Sequence, residues 1–375
     1  MAFNPHFTSA PDEPFGLSSA QMGIWTAELL DRGCSALVTG QYSEISSAVN
    51  VAAFERASRR TIEDIEALRL CFGGPVDQPW QWVAPLGQWS LPIVDMSGEA
   101  DPHAAALHWM KTQLAQPIDV GSGRAFRWTL LRLSAARYIW SFQVHHLILD
   151  GFSRNAVWRR LDEVYSALSA GVDVAPVAPG ALRELLARER GYESSPGLDE
   201  DRRYFAALLA DSPPHVSLSR KPPVASREFR RATVHLPRDL TTALRALVPG
   251  ASLAPVVTAA AALLQHSAAG GEDLVLGFAV SARLGALARR TPSMLSNILP
   301  LRLGLSRGIS IEQLVRRTAA AIRGLLPHQR YASLALRQDL QLAPLDPDPY
   351  GITVNFMPFD QGSSFGGLPA STHNL

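Results

Sequence analysis

The sequence predicts an α+β protein made of two lobes of similar size, and three observations lead there. The chain has 375 residues, more than one ordinary core organises, and chains of this length divide into units of roughly 100–200 residues. Helix-period and strand-period segments are mixed from end to end, with no fixed repeat and no heptads. A breaker run, Gly171-Val-Asp-Val-Ala-Pro-Val-Ala-Pro-Gly180, separates two stretches of that mixed character. The lobes are therefore expected at 1–175 and 176–375.

The elements follow in order. Leu17 to Leu30 reads as a helix with Ser18 or Ser19 available as the N-cap. Val49 to Leu68 places Val51, Phe54, Ala57, Ile62, Ile65 and Leu68 near helical spacing. Strands are expected at Trp80 to Val83, Leu91 to Asp95, Phe126 to Leu133 and Tyr138 to Ile148. The last two are joined by Ser134-Ala-Ala-Arg137, short enough for a hairpin. A helix is expected at Asn155 to Leu168. After the breaker from Pro213-Pro214 to Pro222-Pro223, strands are expected at Arg230 to Leu236, Asp273 to Val280, Asn297 to Leu305 and Gly351 to Met357. Helices are expected at Arg238 to Val248, Leu253 to Ser267 and Ile311 to Leu325.

Composition narrows the function classes. Hydrophobic residues make up 47% of the chain and charged residues 18%, which is a globular rather than a disordered balance. The net charge of +1 supplies no basic footprint, so whole-surface nucleic-acid binding is excluded. Cys34 and Cys71 cannot frame a chain of this size with disulfides, which fits a reducing compartment. Met1-Ala-Phe-Asn-Pro-His6 has no basic segment followed by an apolar run, and Ala251 to Leu264 is too short to span a bilayer. A cytoplasmic protein without a membrane partner is expected. No phosphate-cradling glycine loop and no Cys/His metal spacing is present, so no metal site is expected.

The segment richest in chemistry is Gln143-Val-His145-His146-Leu-Ile-Leu-Asp150-Gly151-Phe-Ser153. It closes an alternating strand and precedes a helix; Gly151 permits a tight turn and Ser153 can cap the helix. Neighbouring strand residues face opposite sides, so only one of His145 and His146 can enter a given cavity. A near-neutral imidazole can take a proton from an attacking amine or hydroxyl. Asp150 can hold the loop through a charge-assisted bond to an arginine. The bland reading, core histidines beside a turn aspartate, stands beside this one. His235-Leu-Pro-Arg-Asp239 repeats the spacing and reads simply as a strand ending at a helix N-terminus.

His145-His146-Leu-Ile-Leu-Asp150-Gly151 resembles the HHxxxDG motif of nonribosomal peptide synthetase condensation domains, and other family motifs follow in order. Leu17-Ser-Ser-Ala-Gln-Met-Gly-Ile-Trp25 resembles the opening SxAQxxxW signature. Glu66-Ala-Leu-Arg69-Leu-Cys-Phe72 resembles the second half of RHExLRTxF, although Asp64 and Ile65 stand where Arg and His are usual. Gly277 to Arg283 resembles the strand ending in arginine, Asn297 to Arg302 the VNTLPLR motif, and Val354-Asn355-Phe356 a late asparagine-containing strand. His328-Gln-Arg-Tyr331 resembles the HQxxP-type motif, with Ala332 replacing the proline. Several of these forms are most similar to siderophore-synthetase condensation domains of the enterobactin type.

The resemblance implies two chloramphenicol-acetyltransferase-like lobes in a V with a tunnel between them. It implies an acyltransferase that forms amide bonds, passing an acyl or aminoacyl group from one carrier protein to an amine on another. Both substrates ride on phosphopantetheine arms, and the domain itself binds no cofactor. The partners implied are donor and acceptor peptidyl or aryl carrier proteins, with room for an adjoining adenylation domain.

By the family pattern His146 contacts the attacking amine, as base or positioning acceptor, and His145 turns into the fold. Asp150 pairs with Arg283, Gly151 gives the turn and offers its N–H, and Arg69 supports the lobe through a buried ion pair. Ser153, Asn297 and Asn355 line the tunnel or the substrate. Two alternatives remain: a catalytically silent recruitment domain, and an acyltransferase using a free amine, a hydroxyl or a CoA substrate. The family also continues beyond the late strand through further strands and a closing helix, so the second lobe is expected to be truncated at its C-terminus.

Overall fold

The computed structural model describes residues 14–30, 35–75, 78–178, 180–213, 218, 230–246, 252–343, 346–358 and 363–375. The first elements along the chain are β1 (Phe15–Gly16), α1 (Ser19–Leu30), β2 (Val38–Ile45), α2 (Val51–Asp64), β3 (Leu70–Gly73), β4 (Trp80–Val83) and β5 (Ile93–Asp95). Next come α3 (Pro102–Leu114), β6 (Phe126–Ser134), β7 (Arg137–His145), α4 (Gly151–Ser169), α5 (Ala181–Glu193) and α6 (Pro196–Leu209). They are followed by α7 (Arg238–Ala246), α8 (Ala254–Ala269), β8 (Asp273–Val280), α9 (Gly285–Arg290) and β9 (Asn297–Gly304). The run closes with α10 (Ile311–Leu325), α11 (Ser333–Asp339), β10 (Thr353–Val354), β11 (Ser364–Phe365) and β12 (Leu368–Asn374). The fold is α+β with mixed sheets.

The chain forms two units, but they do not part at residues 175 and 176. The first unit draws on 1–189, 283–295 and 358–375, and the second on 190–282 and 296–357. Two pairings account for the extra pieces of the first unit. Arg283 is tied to Asp150, and β12 pairs with β2 through the register Ala370 to Ile45 and Asn374 to Gln41.

The first unit is built on a six-stranded sheet in the order β11-β12-β2-β7-β6-β5, antiparallel except for β5 beside β6. Strand alternation sends Trp128, Leu130, Trp140, Phe142 and Val144 into a core with Phe54 and Ala57 of α2 and Val157, Leu161 and Val164 of α4. Leu131, Leu133 and Ile139 point the other way and pack with Ala106 and Met110 of α3. Each fully buried side chain of this size contributes about 1.5–3 kcal/mol. A smaller sheet, β1-β4-β3, lies in the same unit.

Helix α1 opens with a reciprocal cap that its Ser-x-x-Gln sequence encodes. Gln21 N donates to Ser18 Oγ at 3.0 Å, and Ser18 N donates to Gln21 Oε1 at 2.8 Å. The expected helix from Val49 to Leu68 stops at Asp64, and Glu66–Arg69 turn as a 3-10 helix. Gly366 and Gly367, at φ 60 and 73, make the two-residue turn that joins β11 to β12. Cys71 is buried and unpaired, and burial pushes its thiol up to about 12; Cys34 lies outside the described residues.

The second unit has a three-stranded sheet, β10-β8-β9, parallel between β10 and β8 and antiparallel between β8 and β9. Leu274, Leu276, Phe278, Leu299 and Leu301 meet Ala259 and Ala262 of α8 and Leu314 and Ile322 of α10 in its core. The expected strand from Arg230 to Leu236 does not form. Residues 231–237 are coil, and Val234 and Leu236 are 78% and 51% exposed. Their alternation fits a strand, but among the described residues no neighbouring strand pairs with it. Among the described residues no helix is long and apolar enough to cross a membrane.

Candidate active site

The histidine pair sits where β7 ends. His145, the last strand residue, lies opposite Val38 of β2 and is 1% exposed. Leu147 N donates to its Nδ1 at 3.1 Å, so the ring proton belongs on Nε2, which lies 3.4 Å from Glu28 Oε2. His145 is thus a fixed, internal group. His146 leaves the strand: its N donates to Leu37 O at 2.7 Å, and the residue is half-buried. The Nδ1 of its ring is buried and has no hydrogen-bond partner among the described residues.

Electrostatics keep His146 neutral. Desolvation lowers its pKa from the ordinary 6.5, reinforced by the charge of Arg154 and opposed by a backbone hydrogen bond and the Asp150 carboxylate. Arg154, one helical turn beyond Asp150, is also lowered by desolvation, with Asp150 opposing the shift. A neutral imidazole accepts protons at pH 7, whereas an imidazolium does not.

Asp150 organises everything downstream of the histidines. At φ −92 and ψ 179 it is the N-cap of α4, and its Oδ1 accepts from Ser153 N at 2.8 Å. The same carboxylate receives Arg283 Nη2 on both oxygens, at 3.1 and 2.9 Å, and Leu295 N at 3.1 Å. The side chains of the pair are 1% and 0% exposed. Arg283 is otherwise spent on the carbonyls of Ala288, Thr291 and Ser293 and on Ser153 Oγ, and its guanidinium lies 4.6 Å over the Phe152 ring.

Three local expectations change. The helix starts at Gly151 rather than Asn155, so Asp150 and not Ser153 is the cap. Ser153 is fully buried; its Oγ donates to Ser293 O at 2.7 Å and accepts from Ser293 N at 2.9 Å. Gly151 is not among the glycines with positive φ, because the extended backbone of Asp150 makes the turn.

The remaining predicted residues lie elsewhere. Arg69 forms no ion pair among the described residues; it donates to the carbonyls of Ala84 at 2.8 Å, Glu63 at 3.0 Å and Ile62 at 3.2 Å. The 3-10 turn ending at Arg69 puts these carbonyls, rather than a carboxylate, around its guanidinium. Asn297, in the second unit, is buried and fully engaged. Its Nδ2 donates to Tyr331 O and Gln329 O, and its Oδ1 accepts from Ile298 N and Ser333 N. These bonds hold its own loop. Asn355 is exposed just beyond β10. Sequence reasoning did not single out Glu28, Gln81 or Arg154. Only Arg154 carried a signal, lying one helical turn beyond the Asp-Gly pair. No group of three or more His, Cys, Asp or Glu is placed for a metal among the described residues.

Comparison with known proteins adds an independent line. A family model described as Condensation domain matches residues 13–346. The chain is 36% identical over 366 residues to a dimodular nonribosomal peptide synthase of Bacillus subtilis (strain 168), covering 97% of this chain and 15% of that protein. It is 38% identical over 364 residues to an isonitrile lipopeptide synthase of Streptomyces coeruleorubidus, covering 96% and 25%. Enterobactin synthase component F of Escherichia coli O157:H7 is 29% identical over 367 residues, with 96% and 28% covered. The chain therefore spans well under a third of the length of these relatives. Among solved structures, a doubly substituted starter condensation domain of rhizomide synthetase, in complex with C8-CoA and Leu-SNAC, superposes with a TM-score of 0.90. It is 34% identical, with 96% of this chain and 82% of that chain covered.

Proposed function

Because the chain belongs to the condensation-domain family of nonribosomal peptide synthesis, we propose that it initiates a peptide by acylating the amine of a carrier-bound amino acid. The donor is an acyl thioester on a phosphopantetheine arm, an arm that carrier proteins and CoA share. The amine nitrogen attacks the thioester carbonyl carbon; the C–N bond forms and the C–S bond breaks. The proton lost from nitrogen passes to His146, and the sulfur departs as the arm's thiol once protonated. The observation that carries this reading is His146 itself: a half-buried histidine whose imidazole desolvation keeps neutral, on a loop locked by the Asp150–Arg283 pair.

Asp150, Arg283 and Ser153 act as supports, and His145 as an internal brace. Gly151 begins the helix whose N-terminal end faces the turn. Donor and acceptor carrier proteins are the proposed partners. The choice of an acyl rather than an aminoacyl donor is supported by the likeness to a starter condensation domain crystallised with C8-CoA.

The test is a single-turnover assay with an octanoyl group on a carrier or on CoA, and leucine on a carrier or on the small thiol of Leu-SNAC. Amide formation by the wild type and a loss of about 10²–10⁴-fold in His146→Ala are expected, with carrier binding retained. Wild-type turnover by His146→Ala would overturn the assignment. Binding without product in every combination would favour a silent recruitment domain.

A further inference from the structure

Two buried glutamines from different elements brace the loop that carries His146. Gln21 of α1 is 1% exposed and Gln81 of β4 is 0% exposed. Gln21 Nε2 donates to Leu147 O at 3.1 Å and to Gln81 Oε1 at 3.0 Å. Gln81 Nε2 donates to Gly16 O at 3.0 Å and back to Gln21 Oε1 at 2.9 Å. The neighbours fix which end of each amide is nitrogen. Ser18 N–H needs an oxygen, while the carbonyls of Leu147 and Gly16 need N–H groups. Every amide hydrogen of the pair is then used once.

The pair acts on the peptide next to His146. That stretch is pinned by His146 N to Leu37 O, by Leu147 N to His145 Nδ1, and by Leu147 O to Gln21. Gln81 touches none of these groups, yet it fixes the amide plane of Gln21 and so the direction of its bond to Leu147 O. We propose that Gln81, acting through Gln21, is a positioning residue for His146. This rests on the proposed role of His146 in amide formation. A reacting group misplaced by about 1 Å can lose on the order of 10²-fold in rate, so such a brace is felt in turnover rather than in substrate binding.

A double-mutant cycle separates positioning from mere stapling of the fold. The single-turnover rate at saturating octanoyl donor and leucyl acceptor is measured for the wild type, Gln81→Leu, His146→Ala and the double variant, each checked for folding by circular dichroism. Gln81→Leu is expected to lose about 10–100-fold in rate, with KM for both substrates within about twofold. In the His146→Ala background the same substitution is expected to cost less than about twofold, because its target is gone. A wild-type rate in Gln81→Leu, or an equal loss in both backgrounds, would overturn the proposal.

If Gln81→Leu fails to fold, Gln81→Glu takes its place. As a carboxylate it sets oxygen against Gly16 O and Gln21 Oε1, and as a neutral acid it regains one donor. Its rate relative to the wild type is expected to climb at least about fivefold between about pH 8 and about pH 5.5, and a flat ratio overturns the proposal. Wild-type turnover by His146→Ala would remove the underlying reading and the proposal together. Loss in His146→Ala with no effect at Gln81 removes the proposal alone.

Discussion

Replacing Asp150 by Asn isolates the value of its buried charge. Asn caps a helix about as well as Asp, so the bond from Ser153 N to Oδ1 survives. The other oxygen becomes an NH2 group: Leu295 N loses its acceptor, and Arg283 Nη2, although it keeps Ser153 Oγ and Ser293 O, faces a donor where it had a carboxylate oxygen. Arg283 is left charged and 1% exposed in its side chain. Removing one partner of such a pair costs about 3–5 kcal/mol, a large part of the roughly 5–15 kcal/mol that holds a domain together. With a urea slope of about 2–3 kcal/mol per molar, the unfolding midpoint should fall by roughly 1–2.5 M. Tryptophan fluorescence reads this event in the right place, because all 8 tryptophans fall between Trp25 and Trp158, in the first unit. Adding Arg283→Met should restore at least half of the loss, since the stranded charge is then gone. A midpoint shift under about 0.3 M, or fully additive losses in the double variant, would refute the reasoning.

Three further outcomes are expected. The rate of amide formation should keep its plateau through neutral pH and fall only below pH 6.5, the ordinary histidine value, because desolvation holds His146 below it; an acid limb above 6.5 contradicts this. Gly366→Ala places a Cβ, at φ 60, against Cδ1 and Cε1 of the Tyr165 ring. It should destabilise the first unit by about 2 kcal/mol or more in urea titrations followed by tryptophan emission. Ser153→Ala removes the hydroxyl that bridges Ser293 and Arg283. It should cost about 1–3 kcal/mol in the same titration without abolishing helix α4, which Asp150 caps.

Where the sequence carried strong periodicity, the elements were legible. The helix expected at Ile311 to Leu325 and the strand at Asp273 to Val280 have those bounds in the structure. The failures share a cause: pairing is not local. Ala232, Val234 and Leu236 alternate as a strand would, yet among the described residues no strand pairs with them. Conversely, Leu368 to Asn374 shows little apolar alternation and still forms a central sheet strand, because β11 and β2 flank it. The Gly366-Gly367 pair was the available signal for that hairpin.

The site divides the same way. His145, His146 and Asp150 are contiguous and visible as a motif. Arg283, 133 residues from Asp150, was reachable only through family resemblance. The Gln21–Gln81 pair spans 60 residues and left no trace in spacing. Ser153, Asn297 and Arg69 show that a polar residue in a motif is often consumed by backbone carbonyls and amides, which sequence alone does not display.

Strand β12 also bears on how the protein emerges from the ribosome. Ser43 of β2 meets Thr372 of β12 across 329 positions. At a synthesis speed of roughly 5–20 residues per second, that separation corresponds to about 15–65 seconds of translation. Throughout this interval one edge of β2 has no strand beside it, and an open edge invites pairing with other chains. Slow codons or a sluggish ribosome between the two strands would lengthen that exposure, and a nascent chain held there is a natural client for a chaperone that shields extended backbone.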